Sequence, residues 1–422
     1  MVRAGHSWMR RGVLAAVLLA LAFAPGQAAR APAASCGATQ CPPGPGTVRW
    51  TVPLSGSWSA AGDLSGTVPN PAYGGGEAYA EADQSVAAVG YSMAVYAYST
   101  RNGHTLWVSS LTGFPAGSQI VSVRVWTGVV AVGVASGPLG AASGGKQRTI
   151  LLTAAGGQQV RSYPAAAFGG AVSASDRDTV VIGPAAVTSY ANRTGRRLWS
   201  RGTGSAQDWR SDGGHLFVAQ AAGGALGTGP VTAVRQISLR TGAEQVIRPA
   251  HGTFDGRLSQ VLRRVLLFSG AQGVTAYSAS TGAQLWRRPN AVPESDDTVH
   301  GLFYLAVGST LSGVSPSTGR TQAQVSGASG SSSGGVYAVR NGVALGLDLG
   351  ALGQIWGYDV TSHHVVWNSH TLPWPHWFVD LSGIGGSTGS TGNSVLLTEC
   401  PQRVQTPSGE VCQAPELVMV NR

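Results

Sequence analysis

One unit recurs along this chain and limits what it can fold into: a strand of small and aromatic residues, a Thr-Gly or related pair, three residues, then Trp. It reads AVYAYSTRNGHTLW ending at Trp107, AVTSYANRTGRRLW ending at Trp199, and GVTAYSASTGAQLW ending at Trp286. A fourth copy, IWGYDVTSHHVVW, ends at Trp367 with His363 in the glycine place. Between them lie copies with Arg161, Val246 and Ala323 where the Trp would stand. The physical unit is a hairpin. Alternating small and large residues suit a strand with one buried face. The glycine tolerates the positive φ of a hairpin turn. The Trp offers a flat surface for packing between sheets.

An apolar strand precedes each hairpin, at 86–89, 180–182, 265–268 and 302–307, so each repeat reads as three or four short antiparallel strands, one propeller blade. The marker positions count seven hairpins. Residues 416–422 then form an incoming strand without a partner, and residues 46–54 an outgoing one. Pairing these two completes an eighth unit and removes the exposed edges of an open array. The expectation is an all-β, eight-bladed β-propeller of four-stranded antiparallel blades over residues 46–422, closed by its N- and C-terminal strands. Composition agrees: 61 glycines serve many turns, and 11% charged residues is far from the charge-rich pattern of disorder.

The strand–Thr-Gly-x-x-x-Trp signature resembles the PQQ-like (quinoprotein-type, BamB-like) propeller repeats, over residues 46–422. The resemblance implies structural roles for Trp50, Trp107, Trp199, Trp286 and Trp367, because this Trp packs in every blade with or without a cofactor. A quinoprotein dehydrogenase of this kind would also carry an Asp base, Ca2+ ligands and, in many members, a disulfide between adjacent cysteines. No two cysteines are adjacent here, and Asp176 and Asp178 are a thin basis for a Ca2+ site needing six to eight oxygens. The expectation is no cofactor, with PQQ as the alternative.

The N-terminus reads as an export signal. Arg3, Arg10 and Arg11 form a positive region before the apolar run 13–24, and the run is too short to span a bilayer comfortably. Cleavage is expected after Ala28, with 29–45 a Pro-, Ala- and Cys-containing lead-in. The Arg10-Arg11 pair also resembles a twin-arginine signal, and Ala34-Ser35-Cys36 faintly a lipoprotein box. No later segment is apolar enough to cross a membrane, so the mature chain is expected to be extracellular or at the cell surface, as a monomer. Cys36, Cys41, Cys400 and Cys412 read as disulfides in an exported chain. Three pairings are open, and 36–41 with 400–412 is preferred because each closes a short loop.

Motifs for chemistry are weak. The G-x-S-x-G matches at 330–334 and 385–389 lie in Ser/Gly-rich stretches with no helix following, as a nucleophile elbow requires. The P-loop-like Gly140–Lys146 stretch has Gln147 in place of Ser/Thr. No catalytic residue and no metal site is assigned. The densest unusual patch, around His370, Trp374, His376 and Trp377, is a candidate ligand surface on an inter-blade connection. The net charge of +9 falls to about +6 without the leader. The arginines are spread along the chain in short pairs such as Arg196-Arg197 and Arg263-Arg264, without the aromatic-interleaved stripe of a nucleic-acid binder. They suit weak attraction to anionic cell-surface polymers. The reading is therefore an exported, non-catalytic binding or assembly scaffold for a protein or envelope polymer, contacted through loops near 137–147, 220–230 and 368–380. The alternatives are a quinoprotein-like oxidoreductase, which would need an acidic cluster on the funnel face, and a cell-wall carbohydrate binder using Trp374 and Trp377.

Overall fold

The computed structural model describes residues 48–53, 58–59, 79–82, 85–91, 93–126, 128–136, 147–165, 171–175, 177–183, 185–204, 206–222, 229–297, 300–308, 310–326, 334–340, 343–348, 354–359, 364–368, 394–399, 403–406, 409–412 and 416–421. They belong to the second of two units, Met1–Pro42 and Pro43–Arg422. All regular structure among them is β.

Seven four-stranded antiparallel sheets follow one another, each made of four consecutive strands. The first is β3 to β6 (Tyr79–Ala82, Val86–Tyr91, Ala94–Ser99, Thr105–Ser110) and the second β7 to β10 (Gln119–Trp126, Val129–Ala135, Gln147–Thr153, Gln159–Ala165). The third is β11 to β14 (Ala171–Ser175, Asp178–Ile182, Ala186–Ala191, Arg197–Gly202). The fourth is β15 to β18 (Ala206–Asp212, His215–Ala221, Val231–Ser238, Glu244–Ile247). The fifth is β19 to β22 (Arg257–Leu262, Val265–Gly270, Gly273–Ser278, Gln284–Pro289). The sixth is β23 to β26 (Val292–Asp297, Leu302–Val307, Thr310–Val314, Thr321–Ser326) and the seventh β27 to β30 (Gly334–Arg340, Val343–Asp348, Gln354–Asp359, His364–Asn368). The apolar segments read before each hairpin are the second strands.

First strands of successive sheets lie side by side: β3 on β7, β7 on β11, β15 on β19, β19 on β23, β23 on β27. That is the converging, axial edge of a propeller. Apolar clusters fill the spaces between sheets. Between the first and second, Ala88, Val95 and Ala97 pack with Val123, Val132 and Ile150. Similar clusters join the second sheet to the third, the third to the fourth, the fourth to the fifth and the fifth to the sixth.

The chain ends meet as expected. Strand β34 (Glu416–Asn421) pairs with β1 (Val48–Pro53) on one side and β31 (Ser394–Glu399) on the other. Strand β31 lies beside β3 as β4 lies beside β7. It thus takes the second place of a closing sheet, with β34 third and β1 fourth; this sheet has three described strands where four were expected. One element was not anticipated. Between β31 and β34 the chain makes a hairpin, β32 (Arg403–Thr406) and β33 (Gly409–Cys412), on which β2 (Trp58–Ser59) pairs as a third strand.

The Thr-Gly turns also differ from two-residue hairpins. Ser99 N–H donates to His104 O and Gly103 N–H to Ser99 O, at 2.8 and 2.9 Å, closing a four-residue loop, Thr100 to Gly103. The equivalent glycine bond recurs at Gly157, Gly195, Gly242, Gly282 and Gly319, and φ at all six glycines lies between 64° and 71°.

Each of these glycines has a second task. The blade Trp lies flat against the turn glycine of the next sheet: Trp50 on Gly103, Trp107 on Gly157, Trp199 on Gly242, Trp286 on Gly319. The indole N–H of Trp50, Trp107 and Trp286 donates to a carbonyl of that turn, Thr100, Ala154 and Pro316, at 3.0, 2.7 and 2.6 Å. Where Arg161 replaces Trp, its guanidinium covers Gly195 and donates to Thr194 O at 3.2 Å. Two residues beyond the Trp, Arg201 and Arg288 donate to Gly242 O and Gly319 O, both at 2.6 Å. After the Val246 copy there is no such plate, and the carbonyl of Arg248 closes on Gly282 instead. The repeat motif is thus a lock between neighbouring sheets. For Trp367 the strand pairing, opposite Gly357, is as expected for its copy.

Candidate functional site

The site best defined among the described residues lies on the axial strands. Alternate residues of a strand share a face, and Asp208 and Arg210 of β15 turn towards Arg257 and Ser259 of β19. The Arg257 guanidinium binds Asp208 with two hydrogen bonds, Nη2 to Oδ1 at 2.8 Å and Nε to Oδ2 at 3.2 Å. This fork geometry orients both partners, and Asp208 holds the Arg257 pKa above the ordinary arginine value.

Arg210 is held differently. Its Nε donates to the carbonyl of Ser259 and its Nη1 to that of Trp209, the latter at 2.7 Å. Burial pushes its pKa below the ordinary value, and Asp208 opposes that shift while Arg257 adds to it. Asp296 on β23 and Arg124 on β7 act on the same guanidinium. Side chains from the second, fourth, fifth and sixth sheets are therefore within electrostatic reach of one guanidinium. Arg210 retains its charge regardless, because guanidinium does not deprotonate in proteins.

Glu294, two residues from Asp296 on β23, is exposed, yet desolvation raises its pKa. The sequence reading found no acidic cluster on the funnel face, and among the described residues no three acidic side chains gather; what the strands bring together is a mixed set, Asp208 and Asp296 with Arg124, Arg210 and Arg257. The signal was present as A-Q-D-W-R-S-D and V-P-E-S-D-D, but alternation of charge within two strands far apart in sequence does not reveal that they lie near each other.

Protonation of Glu294 has a predictable sign. A carboxyl whose folded pKa is raised costs stability when ionised, so stability rises as pH falls through that raised value and levels off near the ordinary carboxylate range. Melting temperatures measured from about pH 7 to about pH 4 should carry this upward component in the wild type and lack it in Glu294→Gln, which should melt higher at neutral pH. Parallel curves for the two proteins would refute the assignment.

Of the other expected sites, His370, Trp374, His376 and Trp377 lie outside the described residues, as do Cys36, Cys41 and Cys400, the leader, and the loops at 137–146 and 223–228. Cys412 lies on β33 opposite Trp58 and Arg403. Trp50, Trp107, Trp199 and Trp286 are the inter-sheet plates described above. Among the described residues no three His, Cys, Asp or Glu side chains gather as metal ligands, and Asp208 is already engaged by Arg257. No helix among the described residues is long and apolar enough to cross a membrane.

No protein-family model and no curated protein matches the chain. Solved structures do. Its structural neighbours are BamB-type and methanol-dehydrogenase-type β-propellers. BamB from Moraxella catarrhalis is 16% identical, with 74% of this chain and 99% of that one covered, at a TM-score of 0.45. Hsv2 of Kluyveromyces lactis is 10% identical, with 69% and 97% covered, at 0.44. A europium-containing methanol dehydrogenase is 10% identical, with 88% and 93% covered, at 0.49. Likeness at this level concerns the fold and transfers no ligand.

Proposed function

We propose that this chain is an exported, non-catalytic β-propeller that serves as a binding or assembly scaffold for a protein or envelope polymer, with the axial charged cluster as a contact point. The observation that supports this most is the way the cluster is held. Arg210 is tied to two carbonyls and Arg257 to one carboxylate, so the charges are oriented before any ligand arrives. Preorganised groups of this kind favour recognition because little ordering remains to be done on binding.

The test is a thermal titration of the purified mature protein with PQQ, with and without Ca2+. A ligand that binds only the native state raises the melting temperature by mass action. The expected result is no shift at concentrations well above micromolar. A saturable rise would overturn the scaffold reading in favour of a quinoprotein-like oxidoreductase.

A further inference from the structure

The arginines that are dispersed along the sequence are not dispersed in space. In the first five sheets the turn between first and second strands lies beside the turn between third and fourth. Thr100 N–H bonds Ser85 O, Ala154 bonds Gly128, Asn192 bonds Arg177, Leu239 bonds Gly214, and Ala279 bonds Arg264. The Trp–glycine locks join these turns from one sheet to the next, so they all lie at one end of the sheets. Nine arginines sit in or directly beside them: Arg101, Arg177, Arg193, Arg196, Arg197, Arg240, Arg263, Arg264 and Arg320. All nine are exposed.

Their surroundings set them apart from the other arginines. Among the described residues none of the nine forms an ion pair, whereas Arg235, Arg257 and Arg287 pair with Glu244, Asp208 and Asp255. Arg161, Arg201 and Arg288 are taken up by the inter-sheet locks, and of the nine Arg263 also lies against a turn glycine of the next sheet, Gly301. Of the acidic side chains described at this end, Asp297 is fully buried against His300, and Glu244 is occupied by Arg235. Asp178 and Asp212 remain, both partly buried, and the Asp212 carboxylate accepts the backbone N–H groups of Arg263, Arg264 and Gly213.

A second observation comes from the backbone. Arg263 and Arg264 occupy a two-residue hairpin turn with φ of 50° and 62°. Such a turn favours Asn-Gly, because side chains are strained at positive φ. Two exposed arginines are held at this end in that turn, whose N–H groups bond Asp212 and whose Arg263 covers Gly301.

We infer that this arginine-rich end binds an anionic polysaccharide, one bearing carboxylate, sulfate or phosphate groups. Guanidinium groups form forked hydrogen bonds to such groups. The end has no exposed Trp, Tyr or Phe among the described residues on which nucleic-acid bases would stack. Its turn loops 100–103, 192–195 and 279–282 carry no large apolar side chain to enter a lipid surface. The exposed Leu106, Leu198 and Leu285 lie on the strands that follow these loops. Charge without stacking or insertion suits a polyanion that offers neither bases nor acyl chains.

The test compares binding of the mature protein to dextran sulfate, polygalacturonate, neutral dextran, single-stranded oligo-dT and anionic phospholipid vesicles. Both anionic glycans should bind, neutral dextran should not, and binding should weaken steeply with added salt. Arg193→Gln, Arg196→Gln and Arg197→Gln combined with Arg263→Asn and Arg264→Gly should lose at least about tenfold in affinity. The last two changes relieve the turn but uncover Gly301, so the melting temperature of the variant is measured beside its binding to show that it stays folded. Arg148→Gln with Arg287→Gln, at the opposite end of the sheets, should bind as the wild type does. Equal loss in both variants, binding of neutral dextran, or tighter binding to oligo-dT or vesicles than to the glycans would overturn the inference. Retained glycan binding by a protein that takes up PQQ would leave it standing, since it does not depend on the axial cluster.

Discussion

Replacing Trp107 by Ala should destabilise the protein by about 3–5 kcal/mol, the range for deleting a large buried aromatic side chain. Trp107 is 8% exposed and lies between the first and second sheets. Its indole N–H has Ala154 O as partner at 2.7 Å, and its ring covers Gly157. The substitution removes the plate, uncovers the turn and leaves that carbonyl without its donor. Gly157→Ala attacks the same contact from the other side. Its φ of 64° strains any residue with a Cβ, and the added carbon would overlap the Trp107 ring. Chemical denaturation of both single variants and the double variant checks the account, because residues in contact should be non-additive. Arg161→Trp supplies the contrast. The lock already accepts a flat donor at that place, so this change should be tolerated where Trp107→Ala is not. Simple additivity in the double variant would refute the lock.

Ending the chain at Pro415 should abolish cooperative folding. Strand β34 is the middle strand of the closing sheet, and Leu417, Val418 and Met419 are at most 1% exposed. Deleting a buried aliphatic side chain costs about 2–5 kcal/mol each, and three of them rival the total stability of about 5–15 kcal/mol typical of a native protein. Strands β1 and β31 would also lose their backbone partners and present open edges. Circular dichroism melting is the measurement, with Leu417→Ala as the milder change, expected to lower stability without eliminating the transition. A truncated chain that melted like the wild type would mean that the closing sheet contributes nothing to the fold.

Much of the architecture was legible because it repeats. Hairpins ending at Trp107, Trp199 and Trp286 announce their own strands, and the unmatched strands at the two ends announce each other. Degenerate copies were recoverable from spacing alone, although nothing in the sequence indicated that Arg161 would lie on Gly195 as an indole does. The hairpin β32–β33 escaped notice because it repeats no other segment. The axial site was hardly legible: Asp208 and Arg257 are 49 residues apart, and neither belongs to a recognisable motif.

By itself the sequence determined local geometry. Alternation set the strands, glycine set the turns, and recurrence set the succession of seven four-stranded sheets, since each depends on residues a few positions apart. Which charges share a space was decided only by the tertiary structure. Stacking the repeats about a common axis brings first strands together and aligns equivalent turns at one end. Arg124, Arg210 and Asp296 thereby become neighbours, and nine arginines, from Arg101 to Arg320, come to one surface, because side-by-side packing converts a long sequence period into a short distance in space.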